Sequence, residues 1–427
     1  MPYTEAFLQG YSYIYNLTLD NEALTFKGVN VEEWGVKAQY DETLQFYDDQ
    51  YIVEIEVPSD GYEFTPNMYS YSGTIDWGDG TKTEKQIGTT HEKHIYAKAG
   101  TYIVTFTGKV KTIQSSRISI PGGYIYPSSI ITKLINIGKE LGVINIYRAF
   151  YAQTKLSEIV SGALDGCTGV TSFEETFYGC SALTSIPEGL FDYNTKVTSF
   201  LNVFKDCTSL QAIPEGLFDK CTEATDFGSI FQGCTALTEI PEGLFDNCTK
   251  VTTFENVFYW CNKLQSIPVG LFDNCPEVIN FSDAFYSTAI TSIPEGLFKN
   301  NKKVIDFSDT FCGCSSLTSI PEGLFDNCTE VTNFNGTFVN TEITEIPVGL
   351  FDNNKKVNNF GRLFYGCSKV TSESPYTVIQ VDGVETKVHL YERSQYPEHF
   401  TAPTSYSSCF YNCTGLTDYD SILTTWK

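Results

Sequence analysis

The stretch Phe258-Tyr-Trp-Cys-Asn-Lys-Leu-Gln-Ser-Ile-Pro-Val-Gly-Leu-Phe-Asp-Asn-Cys275 decides the fold, because it recurs along half of the chain. Its Ile-Pro pair falls at Ile186, Ile213, Ile240, Ile267, Ile293, Ile320 and Ile346, with spacings of 27, 27, 27, 26, 27 and 26 residues. A fixed period of this length marks a solenoid, in which each repeat is one coil that buries its apolar face only by stacking on its neighbours. Within a coil, Phe254, Phe258 and Cys261 lie at i, i+4 and i+7, which predicts one face of a short helix. Leu264-Gln-Ser-Ile267 reads as a short strand ended by Pro268, followed by a turn at Gly270 and a return to the core at Leu271 and Phe272. About eight apolar side chains per coil, each worth about 1.5–3 kcal/mol when buried, hold such an array together.

The two 26-residue coils read Phe285-Tyr-Ser-Thr-Ala-Ile290 and Phe338-Val-Asn-Thr-Glu-Ile343. Each is one residue short and lacks the cysteine of the Phe-x-x-Cys motif, so the deletion is expected in a loop. Eleven of the fourteen cysteines keep to two places: Cys180, Cys207, Cys234, Cys261, Cys314, Cys367 and Cys413 follow Phe-x-x, and Cys221, Cys248, Cys275 and Cys328 follow Phe-Asp-x. Asn194, Asn301 and Asn354 replace cysteine at the second place. Asparagine cannot substitute for half of a disulfide, but it can substitute for a small buried group that caps backbone. Reduced, structural thiols are therefore expected, although coils about 4.8 Å apart also bring cysteines into nominal disulfide range.

Before the valine of each coil the charge alternates: Lys196, Glu223, Lys250, Glu277, Lys303, Glu330, Lys356. Stacked positions of opposite sign attract, and they help to set register if they pair. After Ile-Pro the column is of one sign, Glu188, Glu215, Glu242, Glu295 and Glu322, with Val269 and Val348 breaking it. Those carboxylates are expected to be solvated.

The 427 residues carry 52 acidic and 28 basic side chains, a net charge of −24. Such a surface repels phosphate backbones and anionic membranes, so no nucleic-acid partner is expected. No apolar run reaches the length of a membrane span. The N-terminus lacks the pattern of a secretory leader.

The chain divides into an N-terminal arm or attachment segment (1–47), a strand-rich domain (48–113), a linker (114–130), the solenoid (131–370), and a hairpin insertion with a capping last coil (371–427). In the second of these, Thr74-Ile-Asp-Trp-Gly-Asp-Gly-Thr81, His94-Ile-Tyr96 and Gly100-Thr-Tyr-Ile-Val104 resemble the PKD-type, immunoglobulin-like domain, which implies a small β-sandwich. Asp76, Asp79 and His94 are then turn and strand-edge hydrogen-bonding groups. The alternative is a Ca²⁺ site at Asp76 and Asp79, although hard cations want six to eight oxygens. His91-Glu-Lys-His94 lacks the spacing of the helical zinc-protease motif.

The repeat Val-Thr-x-Phe-x-x-x-Phe-x-x-Cys-x-x-Leu-Thr-x-Ile resembles the BspA-like class of leucine-rich repeats over about residues 143–420. The resemblance implies an α/β leucine-rich-repeat solenoid of about nine coils behind the sandwich, and a role in surface adhesion or interaction. Related arrays also occur in proteins of phages infecting gut bacteria. With no leader or wall anchor, a phage virion appendage is expected, docking on capsid or tail proteins through the N-terminal region. The solenoid would then face host protein or glycan. The alternative is a secreted or surface-anchored bacterial adhesin, and a homo-oligomer is compatible with either.

No catalytic constellation accompanies this. The four histidines, His91, His94, His389 and His399, lie near no Gly-x-Ser-x-Gly and near no cysteine outside the repeat, so no enzyme and no cofactor are expected. The informative residues are those that vary between coils. After the second Phe they include Tyr178, Lys205, Gln232, Tyr259, Tyr286 and Tyr365, and Tyr259, Trp260, Tyr286 and Tyr365 form the candidate binding surface.

Overall fold

The computed structural model describes residues 48–88, 92–115 and 129–427, together with the strands named below within the remaining segments. The chain forms two compact units, Met1–Tyr47 and Asp48–Lys427. The first is an antiparallel sheet of order β1-β2-β3-β4: β1 (Thr4–Glu5), β2 (Ser12–Asp20), β3 (Ala23–Glu33) and β4 (Val36–Tyr40). β2 pairs with β3 from Ser12 opposite Glu32 to Asp20 opposite Ala23, with a register shift between Tyr15 and Leu17.

The second unit opens with β5 (Gln50–Val57), β6 (Tyr62–Phe64), β7 (Met68–Asp76), β8 (Lys82–Gly88), β9 (His94–Tyr96) and β10 (Gly100–Ile113). In β5 the expected alternation is present: Tyr51, Val53, Ile55 and Val57 are buried. β6 and β9 pair with each other, and Trp77, Phe64 and Tyr96 fill the interior beside them. Gly73 and Gly108 face each other across β7 and β10, where a Cβ on Gly73 would lie 2.1 Å from the Thr107 carbonyl oxygen. Of the segment read as a linker, 116–117, 121–122 and 126–128 lie outside the described residues, as does His91. Within that segment β11 (Ile118–Ile120) pairs with β12 (Gly123–Ile125).

These strands run on into the array. β13 (Ile131–Ile137) pairs antiparallel with β5, and β14 (Glu158–Ile159) pairs parallel with β13, giving a sheet of order β14-β13-β5-β10-β7-β8. Thr112 of β10 bridges Asn145 of the first coil. The first coil is therefore closed by β-pairing, and one cluster of buried apolar side chains runs from Tyr51 to Trp426.

Eight parallel bridges in series then link Ser172, Ser199, Asp226, Thr253, Asn280, Asp306, Asn333, Asn359 and Ser405. The inter-coil ladder thus passes through the Val-Thr-x-Phe segment and not through Leu264–Ile267, where a strand was predicted. At the Leu–Ile edge few between-coil bonds form, such as Gln211 N–H to Thr184 O at 3.1 Å. Proline, with no N–H, limits that edge further.

The helix expected at Phe254–Cys261 is also absent, and no α-helix occurs among the described residues. Backbone donors alternate instead. The N–H groups of Phe254, Asn256, Phe258 and Trp260 bond the carbonyls of Asn280, Ser282, Ala284 and Tyr286 in the next coil. Those of Val257, Tyr259 and Cys261 close i→i−3 turns on Phe254, Asn256 and Phe258. An α-helix would use every donor internally at i−4, leaving none for the neighbouring coil. The coil is therefore a run of turns with an inter-coil ladder threaded through alternate residues.

Phenylalanine columns fill the interior. Phe254 stacks on Phe281 (5.8 Å), Phe258 on Phe285 (5.7 Å) and Phe272 on Phe298 (6.2 Å), all fully buried. The first cysteine column caps this core by donating to the preceding coil, as in Cys207 Sγ to Phe177 O and Cys234 Sγ to Phe204 O, both at 3.2 Å. Thr288 and Thr341 take that place in the short coils and contact Cys314 Sγ and Cys367 Sγ at 3.3 Å. The missing residue accordingly lies after the column, before Ile290 and Ile343.

The second column works the same way. Cys275 Sγ points at Phe245 O (3.7 Å), whereas Asn301 Nδ2 donates to Phe272 O (3.2 Å) and Cys275 O (2.8 Å). All fourteen cysteines are free and buried. Burial pushes thiols such as Cys167, Cys221 and Cys275 up to about 12, so they are protonated donors and poor nucleophiles at neutral pH. Iodoacetamide is accordingly expected to leave all fourteen unmodified in the native chain and to modify them once it is denatured. Rapid native labelling, read by mass spectrometry, would contradict the buried-donor role.

After Val370 the array is interrupted by a hairpin, β15 (Tyr376–Val381) and β16 (Val384–His389), turning at Asp382-Gly383 with φ of 49° and 79°. A short 3-10 helix follows at Leu390–Gln395. It delivers Arg393, 1 % exposed, to the carbonyls of Phe351 (2.8 Å) and Asn354 (3.0 Å). Asn354 itself bonds the carbonyls of Phe325 and Cys328 one coil back. The guanidinium therefore takes the cysteine/asparagine place where the regular next coil is missing. The ladder then resumes from Asn359 to Ser405.

Candidate interaction surface

The residue after the second Phe of each coil forms a column along one side of the array. It begins with Tyr151 and Tyr178, stacked at 4.6 Å, and Lys205 reaches back over Tyr178 at 5.6 Å. Two coils later, Tyr259 and Tyr286 stack at 4.6 Å with 17° between planes, and Trp260 lies beside Tyr259 at 5.6 Å and 27°. Of the four predicted surface residues, Tyr259, Trp260 and Tyr286 form one shelf. Tyr365 does not join it, because Cys312 and Val339 occupy the column between and are buried. Tyr365 instead stacks on Tyr411 at 4.7 Å. Tyr151 and Tyr411 were missed because the first and last coils depart most from the repeat.

Trp260 has a second unusual property. Its φ is +60°, at a place filled in other coils by Ala152, Gly179, Asp206, Gly233, Ser287, Gly313, Asn340, Gly366 and Asn412, all with positive φ. That conformation aims the N–H at the next coil. Glycine adopts it without strain and short polar residues tolerate it, whereas a bulky aromatic is an outlier. With Gly233 on one side and Ser287 on the other, no large side chain at this position covers the indole, which is 55 % exposed.

Carboxylates flank the shelf. Asp283, three residues before Tyr286, is half-buried and pushed up to about 6, first by burial and then by Asp309, Glu255 and Asp306. Burial also raises Asp309. The sign of the linkage follows. Unfolded, Asp283 ionises near its ordinary value of about 4, whereas folded it holds its proton to about 6, so stability falls as pH rises through that window. Asp283→Asn keeps the positive-φ backbone acceptable and removes the charge. It is expected to stabilise the chain at pH 7 by about 1 kcal/mol after allowance for solvent screening, and to have no effect below the window. Denaturation midpoints at the two pH values check this.

The alternating charges resolve into three discrete ion pairs, Lys250–Glu223 (2.6 Å), Lys303–Glu277 (2.5 Å) and Lys356–Glu330 (2.6 Å), each lysine reaching to the preceding coil. All are about half exposed, and such pairs contribute about 0–1 kcal/mol each. In the like-charge column, Val269 and Val348 are 78 % and 73 % exposed. In the strand-rich region, Asp76 Oδ1 accepts the Gly78 N–H and its Oδ2 pairs with Lys82, while Asp79 accepts from Thr81 and meets His94 Nε2 at 2.7 Å. His94 in turn stacks on Trp77 at 4.7 Å. These two carboxylates are occupied in holding the turn.

No helix among the described residues is long and apolar enough to cross a membrane. No curated protein matches the chain. Among solved structures it is similar to one described as a TLR13–ssRNA13 complex, with 12 % identity over 54 % of this chain and a TM-score of 0.15. The match spans 51 % of that chain, and a superposition at this level carries no argument. The model of the BspA type leucine rich repeat region matches residues 104–305 and 211–358, in six copies and over more than half of the sequence. Carrying this repeat over that length, the chain belongs to the BspA-type leucine-rich repeat family.

Proposed function

We propose that this chain is a non-enzymatic surface interaction protein that binds a host protein or glycan through the shelf of Tyr259, Trp260 and Tyr286. The observation that carries the proposal is Trp260, an exposed aromatic held at a left-handed backbone position. A bulky aromatic kept at a left-handed position that glycine and short side chains fill in the other coils points to a gain other than folding. Stacked, exposed aromatic faces suit sugar rings and apolar side chains, and they bring large contact area at low entropy cost. Proteins of this repeat family are often surface or adhesion proteins, which agrees with such a role.

The finer reading is that a phage virion carries the array, docked on capsid or tail proteins through the N-terminal region, with the PKD-like strands between. A bacterial cell surface is the other carrier. Mass spectrometry of purified virions and of surface-shaved cells separates the two. Binding is tested with the purified full chain on a glycan array and on mucin-coated surfaces, with retention that depends on Trp260 expected. Retention equal in wild type and a Trp260 variant would remove the shelf from the proposal.

A further inference from the structure

We propose that Glu373, His389 and Asp418 form a divalent-cation site of the zinc type, which pins the β15–β16 insertion to the last coil. The three come from separate parts of the chain: the segment before β15, the end of β16, and the final coil. His389 Nε2 lies 3.0 Å from Glu373 Oε1 and 3.5 Å from Asp418 Oδ2, and one ligand atom from each of the three lies within 4.8 Å of the others. Ligand atoms around a tetrahedral zinc, with bonds of about 2.0–2.2 Å, sit roughly 3.4 Å apart, so a small adjustment seats the ion. Imidazole nitrogen with carboxylate oxygen favours zinc over the hard cations Ca²⁺ and Mg²⁺.

The surrounding groups fit this assignment. His389 Nδ1 lies 3.1 Å from Glu392 Oε2, the arrangement in which a carboxylate holds the proton on one ring nitrogen and turns the other's lone pair toward a metal. In the tautomer with the proton on Nδ1, the Nε2 lone pair would face two carboxylate oxygens, an arrangement a cation between them would stabilise. Asp418 is oriented by Ser374, whose N–H donates at 2.9 Å and whose hydroxyl donates at 2.5 Å, and Tyr391 Oη lies 3.5 Å away. Lys387 Nζ pairs with Glu373 at 2.8 Å from Oε2 and rests over the Tyr376 ring. It therefore balances one of the three carboxylates around the imidazole and leaves two for a dication. The side chains of His389 and Asp418 are only 12 % and 15 % exposed, whereas Glu373 at 33 % leaves a side open for a water as fourth ligand.

The test uses the full chain, stripped with a chelator and titrated with Zn²⁺ alone, then with Ca²⁺ or Mg²⁺. One Zn²⁺ per chain is expected, with a rise in thermal midpoint and at least tenfold preference over the other two. His389→Ala and Asp418→Asn should each weaken Zn²⁺ binding more than tenfold, and Glu392→Gln by roughly tenfold. Affinity should fall on acidification, because ligation needs the neutral ring. As a readout on the unmodified chain, Co²⁺ should give visible absorption of tetrahedral type that Zn²⁺ displaces. Absence of saturable Zn²⁺ binding, or equal binding in wild type and His389→Ala, overturns the proposal.

Discussion

Arg393→Ala is expected to destabilise the C-terminal end of the array by about 3–5 kcal/mol, the largest effect of any single substitution away from the phenylalanine columns. Two buried carbonyls, of Phe351 and Asn354, lose charge-assisted donors that contribute about 1.5–3 kcal/mol each. The guanidinium also lies over Phe400 at 4.5 Å and Phe360 at 5.5 Å, so packing is lost with the charge. Against these stands the desolvation of the ion, which pulls Arg393 down to about 9 and leaves it charged at neutral pH. Relief of that desolvation keeps the expected loss below the sum of the separate contributions. Arg393→Met keeps most of the packing and still orphans both carbonyls, so about 2 kcal/mol is expected to remain. Coils couple mainly to their neighbours, so the loss should be local. Hydrogen exchange should quicken from Phe351 to the end of the chain and stay unchanged near Phe200. Unaltered exchange beyond Phe351 in Arg393→Ala would show that the guanidinium does not close the array.

Trp260→Gly separates function from folding. A bulky residue at φ +60° stores about 1–3 kcal/mol, which glycine releases. In exchange the variant loses the contact with Tyr259, about 0.5–1.5 kcal/mol, and gains unfolded-state entropy of similar size. Stability is therefore expected to stay within about 1 kcal/mol of wild type. Binding to whichever glycan or mucin surface retains the wild-type chain should fall by at least thirtyfold, the effect of losing an aromatic anchor worth about 2 kcal/mol. The opposite pattern, a clear loss of stability with binding intact, would make Trp260 a packing residue.

Much of this architecture is legible in the residues because it recurs once per coil. The Ile-Pro spacing, the Phe and Leu positions and the exchange of cysteine with asparagine define the period, the core and the buried donor column. The 26-residue coils show that a residue is missing, whereas its place after the cysteine column follows from Thr288 and Thr341 standing in that column. The column containing Tyr259 and Tyr286 is visible too, because core positions are held constant by packing and the variable ones stand out.

What the period does not contain is the partner of each backbone donor. Apolar residues at Phe254, Phe258 and Cys261 fit a helix, and only the next coil, whose carbonyls at Asn280, Ser282 and Ala284 claim alternate N–H groups, turns that segment into a ladder of turns. Likewise β5 and β13 are distant in sequence and join one sheet only once the chain has folded back. Arg393 and His389 lie outside any repeat and Asp418 in an irregular last coil, so nothing local marks them as cap or ligand. The strain at Trp260 is equally invisible in sequence, since it depends on a backbone angle that the neighbouring coils impose. By itself the sequence determined the period, the core columns and the repeat family. The tertiary structure decided which hydrogen bonds build the coil, how its two ends are closed, and which aromatics meet, because each of these depends on groups brought together from other coils.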